Sequence, residues 1–267
     1  MTDTSAGPVP VEHTTGSGTI SMFRRGQGPP LLALHAAGGA GEWNEFLELL
    51  SAHHDVIAPD HPGFGRSDDL PEVDSMARLV AHYVRLLDDL GLDQVDVVGA
   101  SFGGWIAAEL ASTVPDRVRR LVLMAPAGLD VPGAPPADLA TMTPEQIVKA
   151  LYLDPLAAVA VLSVPPTPEA TARAERDARA FERFARSPFL HNPELPGRLA
   201  AITAPTLVLA AEEDRIIPRA HSEAYAAAVD GAVLDVVPGC GHALYFEQPA
   251  AVAEAVLGFL AAAVQPS

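Results

Sequence analysis

Cysteine is nearly absent from this chain, since Cys240 is the only one among 267 residues. One cysteine cannot form a disulfide within the chain, and it cannot build a cysteine-based metal site. The histidines, aspartates and glutamates show no metal-ligand spacing either. We therefore expect neither a metal nor any other cofactor.

Basic residues are also scarce. Lysine and arginine number 17 against 34 aspartates and glutamates, and Lys149 is the only lysine, so the formal net charge is −17. Nucleic-acid binding depends on basic side chains that neutralise phosphates, and anionic membrane surfaces attract the same side chains. This balance argues against both partners and favours a small-molecule substrate. It does not indicate an oligomeric state.

Long apolar runs are missing as well. The apolar stretch 252–264 contains Glu254 and is shorter than the roughly 20 residues of a membrane-spanning helix. Residues 1–13 lack the apolar core of a secretory signal, so we expect a cytoplasmic protein. The chain is nevertheless 49% hydrophobic, which is enough for the core of one large domain.

Short apolar runs alternate with helical patterns along most of the chain. Residues 74–90 repeat apolar side chains at helical spacing, and Gly91 is the expected end of that helix. Strands that alternate with helices indicate an α/β fold with a mostly parallel sheet covered by helices on both faces. The predicted strands are 19–23, 30–35, 55–60, 95–98, 120–124, 207–210 and 233–237.

The alternation stops between residues 130 and 197. This segment has proline clusters and helical stretches, such as 143–153 and 168–184, but no strand pattern. We therefore predict a core made of residues 1–129 and 198–267, with residues 130–197 as a helical insertion. Because it lies between two core strands, the insertion is expected to cover the carboxyl edge of the sheet as a lid.

Gly99-Ala100-Ser101-Phe102-Gly103 has the Gly-x-Ser-x-Gly pattern, and its context matters more than its letters. It directly follows an apolar run and directly precedes a helical pattern, 102–114. Such a strand–turn–helix junction exposes the serine oxygen at a strained apex, where the positive end of the helix faces it. This predicts that Ser101 is an activated nucleophile, which requires a histidine and a carboxylate elsewhere.

Both partners occur after later strands. Asp214 follows the strand 207–210, and His242 follows the strand 233–237. The order serine, acid, histidine differs from that of chymotrypsin-like and subtilisin-like enzymes. The acid has rivals, because the adjacent Glu212 and Glu213 make a charge run that a solvated surface would also show, and Asp130 is a more distant candidate.

Four blocks, each at the end of a predicted strand, resemble the α/β-hydrolase family over nearly the whole chain. They are residues 34–38, 60–67, 99–104 and the pair Asp214 and His242. The resemblance implies an oxyanion hole formed by the backbone N–H groups of Ala37 and Phe102. It also favours Asp214 as the acid, because Arg215-Ile216-Ile217-Pro218 follows it. Two alanines, Ala36 and Ala211, replace the glycines usual in the family.

These features predict a hydrolase that forms an acyl-enzyme on Ser101. Apolar residues dominate the predicted lid, which indicates a small, largely hydrophobic ester, thioester or lactone. The turn that carries Ser101 is called the elbow below. The candidate substrate-binding residues lie near this elbow, near His242 or in the predicted lid: Trp105, Leu151, Tyr152, Leu156 and Ala243.

Two alternatives stay open. Relatives that hydrolyse a carbon–carbon bond in a vinylogous diketone have a similar elbow, but they usually carry Asn where this chain has Ala100 and Trp where it has Ala243. Some members of the fold are ligand receptors, although these often lose a member of the triad. Dehalogenases and epoxide hydrolases of this fold need Asp at the position of Ser101.

Overall fold

The computed structural model describes residues 7–38, 40–185 and 189–262, with the side chain of residue 140 left aside. Its centre is an eight-stranded sheet with the order β1-β2-β4-β3-β5-β6-β7-β8. The strands are β1 (Val11–Thr14), β2 (Thr19–Arg25), β3 (Pro30–Leu34), β4 (Asp55–Pro59), β5 (Val95–Ala100), β6 (Val118–Met124), β7 (Thr206–Ala211) and β8 (Val233–Val237).

The helices cover both faces of this sheet. They are α1 (Glu45–Ser51), α2 (Met76–Asp89), α3 (Phe102–Thr113), α4 (Pro144–Leu151), α5 (Pro155–Leu162), α6 (Pro168–Ala185), α7 (Leu195–Arg198), α8 (Ala220–Ala228), α9 (Leu244–Glu247) and α10 (Pro249–Ala261). Short 3₁₀ turns span Pro115–Arg117, Leu139–Thr141 and Leu199–Ala201.

The predicted α/β fold with a mostly parallel sheet is confirmed. Strands β3 to β8 pair in parallel, whereas β1 and β2 pair antiparallel at one edge. Every residue of β5 is buried, as expected for a strand in the middle of a sheet covered on both faces. The carboxyl ends of β5, β7 and β8 therefore lie along the same edge, and the three candidate catalytic residues follow these ends.

Side chains of β5 alternate between two hydrophobic cores. Val95 and Val97 pack with helices α2 and α3, whereas Val98 and Ala100 pack with α1, α9 and α10 on the opposite face. This alternation follows from the two-residue period of a strand. It fixes the orientation of the residue that follows the strand, Ser101.

Helix ends are set by local side chains. Helix α1 begins at Glu45, because Asn44 caps it by accepting from the Leu47 N–H at 3.0 Å. Helix α2 ends where predicted: Gly91 has φ +68° and the Leu92 N–H donates to the Leu87 carbonyl at 2.9 Å.

The segment between β6 and β7 holds helices α4 to α7. Its described residues, 130–185 and 189–197, form no named strand, and His191 makes an isolated bridge to Gly128. Helix α6 is held to the core by Asp177, which accepts from the Gly65 N–H at 2.9 Å, and by Arg183, which donates to Asp69 at 2.6 Å. In the described part of the chain, no helix has the length and apolar character needed to cross a membrane.

Candidate active site

Ser101 occupies a strained turn between β5 and α3. Its φ of 52° and ψ of −113° lie outside the regions that non-glycine residues normally adopt. Backbone hydrogen bonds hold this conformation: the Ser101 N–H donates to Met124 at 2.8 Å, and the Ser101 carbonyl accepts from Trp105 at 3.0 Å and Ala127 at 3.1 Å. Strain of this kind costs about 1–3 kcal/mol and is concentrated at functional sites.

Two glycines make this turn sterically feasible. A Cβ atom on Gly99 would lie 2.2 Å from the Gly103 carbonyl oxygen. A Cβ atom on Gly103 would lie 2.1 Å from the carbonyl oxygen of Leu34 and 2.6 Å from that of His35. The first turn of α3 therefore packs directly against the end of β3, which no larger residue would permit.

Asp214 and His242 form a buried pair. The Asp214 Oδ2 atom lies 2.7 Å from His242 Nδ1, and their side chains are 1% and 6% exposed. The other oxygen, Oδ1, accepts from the N–H groups of Ile216 and Ile217, both at 2.8 Å. Backbone donors thus fix the carboxylate, and the carboxylate fixes the imidazole.

The rival acids occupy other positions. Glu212 is exposed and accepts from the Gly239 N–H at 2.9 Å, while Glu213 and Asp130 lie among exposed residues. The geometry therefore joins Asp214, not its neighbours, to His242. Among the described residues, Ser101 and His242 share no hydrogen bond, although Ser101 follows β5 at the edge where His242 follows β8.

The two candidate oxyanion donors lie on either side of the elbow. Phe102 is the first residue of α3, so its N–H lies at the positive end of a 12-residue helix. Ala37 lies in the turn after β3. The close approach of Gly103 to the His35 carbonyl joins these two segments.

A histidine pair lies next to the Ala37 turn, with His61 fully buried and His35 partly buried. His61 donates its backbone N–H to His35 Nε2 at 3.1 Å, and its ring Nε2 lies 2.9 Å from the His35 carbonyl oxygen. His61 Nδ1 is also hydrogen-bonded to the Tyr83 hydroxyl. No sequence pattern gives a partner for His61, because Tyr83 lies on a separate helix and no local pattern connects the two.

Glu247 was not singled out by the sequence. Its Oε2 accepts from the Gly241 N–H at 2.6 Å, and its Oε1 accepts from the N–H groups of Leu153 and Asp154, both at 2.8 Å. One carboxylate thus connects the His242 loop to the linker between α4 and α5. Its sequence context, at the end of a short helix, gives no sign of these distant partners.

A cavity of about 480 Å³ lies between the Ala37 turn and α6. Its wall is mostly apolar. Arg173 is the one basic side chain among the described lining residues, and it contacts Glu42 at 3.5 Å. The lining comprises Ala37, Gly38, Ala40, Glu42, Ala137, Asp138, Leu139, Ile147, Ala170, Arg173, Ala174, Asp177, Ala178, Phe181, Glu182, Ala185, Phe189 and Leu190.

The five predicted substrate-binding residues lie elsewhere than in this lining. Trp105 is 2% exposed in the core and donates to Glu109 at 3.0 Å, and Leu156 is 76% exposed on α5. Leu151 accepts from the Ala243 N–H at 2.9 Å, next to Tyr152, so these three residues border the His242 loop. Phe181 and Ala178 of the cavity wall were not foreseen, because helical periodicity does not show which face meets the core.

Comparison with known proteins gives consistent matches. The model of the Alpha/beta hydrolase family matches residues 31–255. A 2-hydroxymuconate semialdehyde hydrolase from Pseudomonas putida is 35% identical over 91% of each chain. A 2-hydroxy-6-oxo-6-phenylhexa-2,4-dienoate hydrolase from Burkholderia cepacia is 30% identical over 98% of this chain and 99% of its own.

A solved structure of a bacterial membrane phospholipase A is similar in fold. It has a TM-score of 0.80 and 24% identity, and the match covers 95% of this chain and 86% of that one.

Proposed function

Since this chain belongs to the alpha/beta hydrolase family and is a hydrolase, we propose that it cleaves a small, largely hydrophobic carboxylic ester, thioester or lactone through an acyl-enzyme on Ser101. The observation that carries this proposal is the strained Ser101 elbow at the same sheet edge as the buried Asp214–His242 pair. A serine, a base and an orienting acid in this order are the parts that acyl transfer needs.

The first step forms the acyl-enzyme. The Ser101 oxygen attacks the substrate carbonyl carbon while His242 Nε2 takes the serine proton. Asp214 accepts from the Nδ1–H of His242, which holds the neutral ring in the useful tautomer and stabilises the imidazolium. The imidazolium then gives its proton to the leaving alcohol or thiol, so that the ester bond breaks as the acyl–serine bond remains.

The second step releases the acid. Water gives a proton to His242 and attacks the acyl carbon, and Ser101 regains its proton as it leaves. In both steps the N–H groups of Ala37 and Phe102 would donate to the developing oxyanion. Each such donor contributes about 3–4 kcal/mol in comparable enzymes.

The inserted helices are proposed to act as a lid, with the cavity beneath them as the substrate pocket. The cavity touches Ala37 and is lined mainly by alanine, leucine and phenylalanine side chains. The described residues of the lining also include four carboxylates and one guanidinium: Glu42, Asp138, Asp177, Glu182 and Arg173. A pocket of this size and charge suits an uncharged apolar group better than a carboxylate.

The second candidate function is carbon–carbon bond hydrolysis. The specific observation that favours it is the 35% and 30% identity to two hydrolases whose names specify a semialdehyde and a dienoate. A dienoate carries a carboxylate, which would need a basic partner in the pocket. Arg173 is the basic residue of the described lining, and Glu42 already faces it. This is why we place the ester first.

The deciding experiment compares two kinds of substrate. Turnover of p-nitrophenyl acetate, butyrate and octanoate would be measured beside turnover of 2-hydroxymuconate semialdehyde, with wild type and Ser101→Ala. We expect ester hydrolysis that falls about 10⁴- to 10⁶-fold in the variant. A higher kcat/KM for the semialdehyde would replace the ester by the second candidate.

A loss of activity in Ser101→Ala must be distinguished from a loss of folding. The variant should unfold at the same temperature as wild type, because the serine hydroxyl is not part of the core. Full ester turnover in folded Ser101→Ala protein would falsify the assignment of Ser101 as the nucleophile.

A further inference from the structure

The His61 side chain contacts both halves of the proposed oxyanion hole. On one side its ring stacks on His35, with ring centroids 3.7 Å apart, two residues before Ala37. On the other side it meets the Phe102 ring edge-on, with centroids 5.5 Å apart. His61 is fully buried, and substrate cannot reach it without unpacking the core.

The hydrogen bonds of this cluster define which nitrogens carry protons. A carbonyl oxygen only accepts, so His61 Nε2 carries a hydrogen and donates to the His35 carbonyl. A backbone N–H only donates, so His35 Nε2 is bare and His35 Nδ1 carries the hydrogen that is donated to the Ala36 carbonyl at 2.7 Å. The Tyr83 hydroxyl then donates to His61 Nδ1.

Both rings are neutral, because burial disfavours their charged forms. Burial lowers the pKa of His61 well below its usual range and also lowers the pKa of His35. The Tyr83 hydroxyl keeps its proton, because burial raises its pKa well above the usual range. Every ring nitrogen of the pair has a partner. His61 holds the His35–Ala36 peptide and the His35 ring by a reciprocal pair of bonds, and the His35 ring in turn holds the carbonyl of the Ala36–Ala37 peptide.

We propose that His61 is a positioning residue that sets both oxyanion donors at once, through the His35 peptide before Ala37 and through the ring of Phe102. This inference rests on the proposed function. The Nε2–H bond holds the His35 carbonyl, against which Gly103 also packs, so the turn after β3 and the first turn of α3 share one support. Tyr83 prevents the His61 ring from turning over.

The test separates positioning from general stability. His61→Leu removes the ring bonds, His61→Gln keeps a side-chain N–H that can reach the His35 carbonyl, and Tyr83→Phe removes the hydroxyl that orients the ring. We expect His61→Leu to lower kcat about 10- to 100-fold with KM changed less than about threefold, because small misplacements of transition-state donors affect mainly kcat. His61→Gln should recover most of this loss.

The matched control is His54→Leu. His54 is also buried, but it precedes the opposite end of β4, where its Nε2 lies 3.8 Å from Asp96. This substitution should lower the unfolding temperature and leave kcat unchanged. If His61 only stabilised the fold, His61→Leu and His54→Leu would both lower the unfolding temperature and both leave kcat unchanged.

A tetrahedral inhibitor gives the readout that a merely structural role would not move. A trifluoromethyl ketone accepts the Ser101 oxygen at its carbonyl carbon, His242 takes the proton, and the carbonyl oxygen becomes an oxyanion. Its Ki should rise in His61→Leu by the factor by which kcat/KM falls. The Ki of the corresponding methylene compound, which has no carbonyl, should not change. Parallel changes in both inhibitors would overturn the positioning role.

One measurement keeps this test independent of the substrate. A fluorophosphonate forms a serine–phosphorus bond and releases fluoride, and its phosphoryl oxygen needs the same donors. Its rate of reaction with Ser101, followed by mass spectrometry, should fall about 10- to 100-fold in His61→Leu. An unchanged rate in folded protein would reject the role of His61 even if ester turnover were confirmed. Absent ester turnover with a slowed rate would instead reject the substrate and keep His61.

Discussion

Asp214 holds His242 by one carboxylate oxygen while the backbone holds Asp214 by the other. The 2.7 Å contact to His242 Nδ1 and the two 2.8 Å bonds from Ile216 and Ile217 leave the carboxylate one orientation. The acid therefore acts as a fixed support for the imidazole, and its replacement can be predicted.

Asp214→Asn should lower kcat about 10³- to 10⁴-fold, because an amide can favour the wrong tautomer of His242. The backbone N–H groups can still donate to the amide oxygen, so the unfolding temperature should change little. Steady-state kinetics and thermal unfolding check this. Glu212→Gln is the control, since Glu212 is exposed and its carboxylate accepts from the Gly239 N–H. Equal losses in both variants would contradict the choice of acid.

Glu247→Gln should lower both stability and kcat. The substitution keeps the shape but removes the charge from an acceptor of three backbone N–H groups, and hydrogen bonds to charged groups contribute about 1.5–3 kcal/mol. We expect an unfolding temperature several degrees lower and a kcat about 10-fold lower, because the His242 loop loses its support. Glu223→Gln, at an exposed pair with Arg219, is the control and should change neither quantity.

Ala178→Phe should narrow the cavity between α6 and the Ala37 turn. The preference among p-nitrophenyl esters should shift toward acetate, with kcat/KM for the octanoate falling at least about 10-fold as steric overlap is introduced. Ala172→Phe is the matched control on the same helix, because Ala172 lines a separate surface depression with Arg176. Identical chain-length profiles in wild type and Ala178→Phe would show that substrate binds elsewhere.

Stability should fall in mild acid because of His82. Burial lowers the pKa of His82 from 6.5 to about 4. Above pH 6.5 the ring is neutral in both the folded and the unfolded chain, so its protonation does not lower the free energy of unfolding. Between pH 6.5 and about 4 only the unfolded chain gains the proton. His82 by itself should therefore lower the free energy of unfolding by about 3 kcal/mol as the pH falls through this range.

Urea unfolding of wild type and His82→Gln at pH 8.0, 6.0 and 4.5 measures this effect. The variant should lose less of its unfolding free energy than wild type between the first and last pH. His53→Gln, which replaces an exposed histidine, should follow wild type. The same pH dependence in all three proteins would remove His82 as the cause.

The sequence was sufficient for the parts of the molecule that depend on local pattern. The strand–turn–helix junction at Ser101 and the end of α2 at Gly91 follow from a buried apolar run, small residues and a residue that tolerates positive φ. The position of Ser101, Asp214 and His242 at one edge of the sheet could be predicted because they follow strands that run parallel.

Contacts between distant segments could not be predicted in this way. The partner of His61 depends on which face of α2 meets the sheet, and Glu247 reaches backbone atoms that carry no sequence signal. Leu156 shows the converse: an apolar residue in a helical pattern suggested a pocket wall, but α5 presents it to solvent. A repeat of apolar residues shows that a helix has an apolar face without showing what covers it.

The shared carboxylate of Glu247 also couples the linker between α4 and α5 to the His242 loop. The linker at Leu153 and Asp154 cannot swing away unless it breaks two hydrogen bonds or carries the Gly241 backbone with it. In the first case movement of the linker costs the free energy of those two bonds, and in the second the His242 loop moves together with the linker.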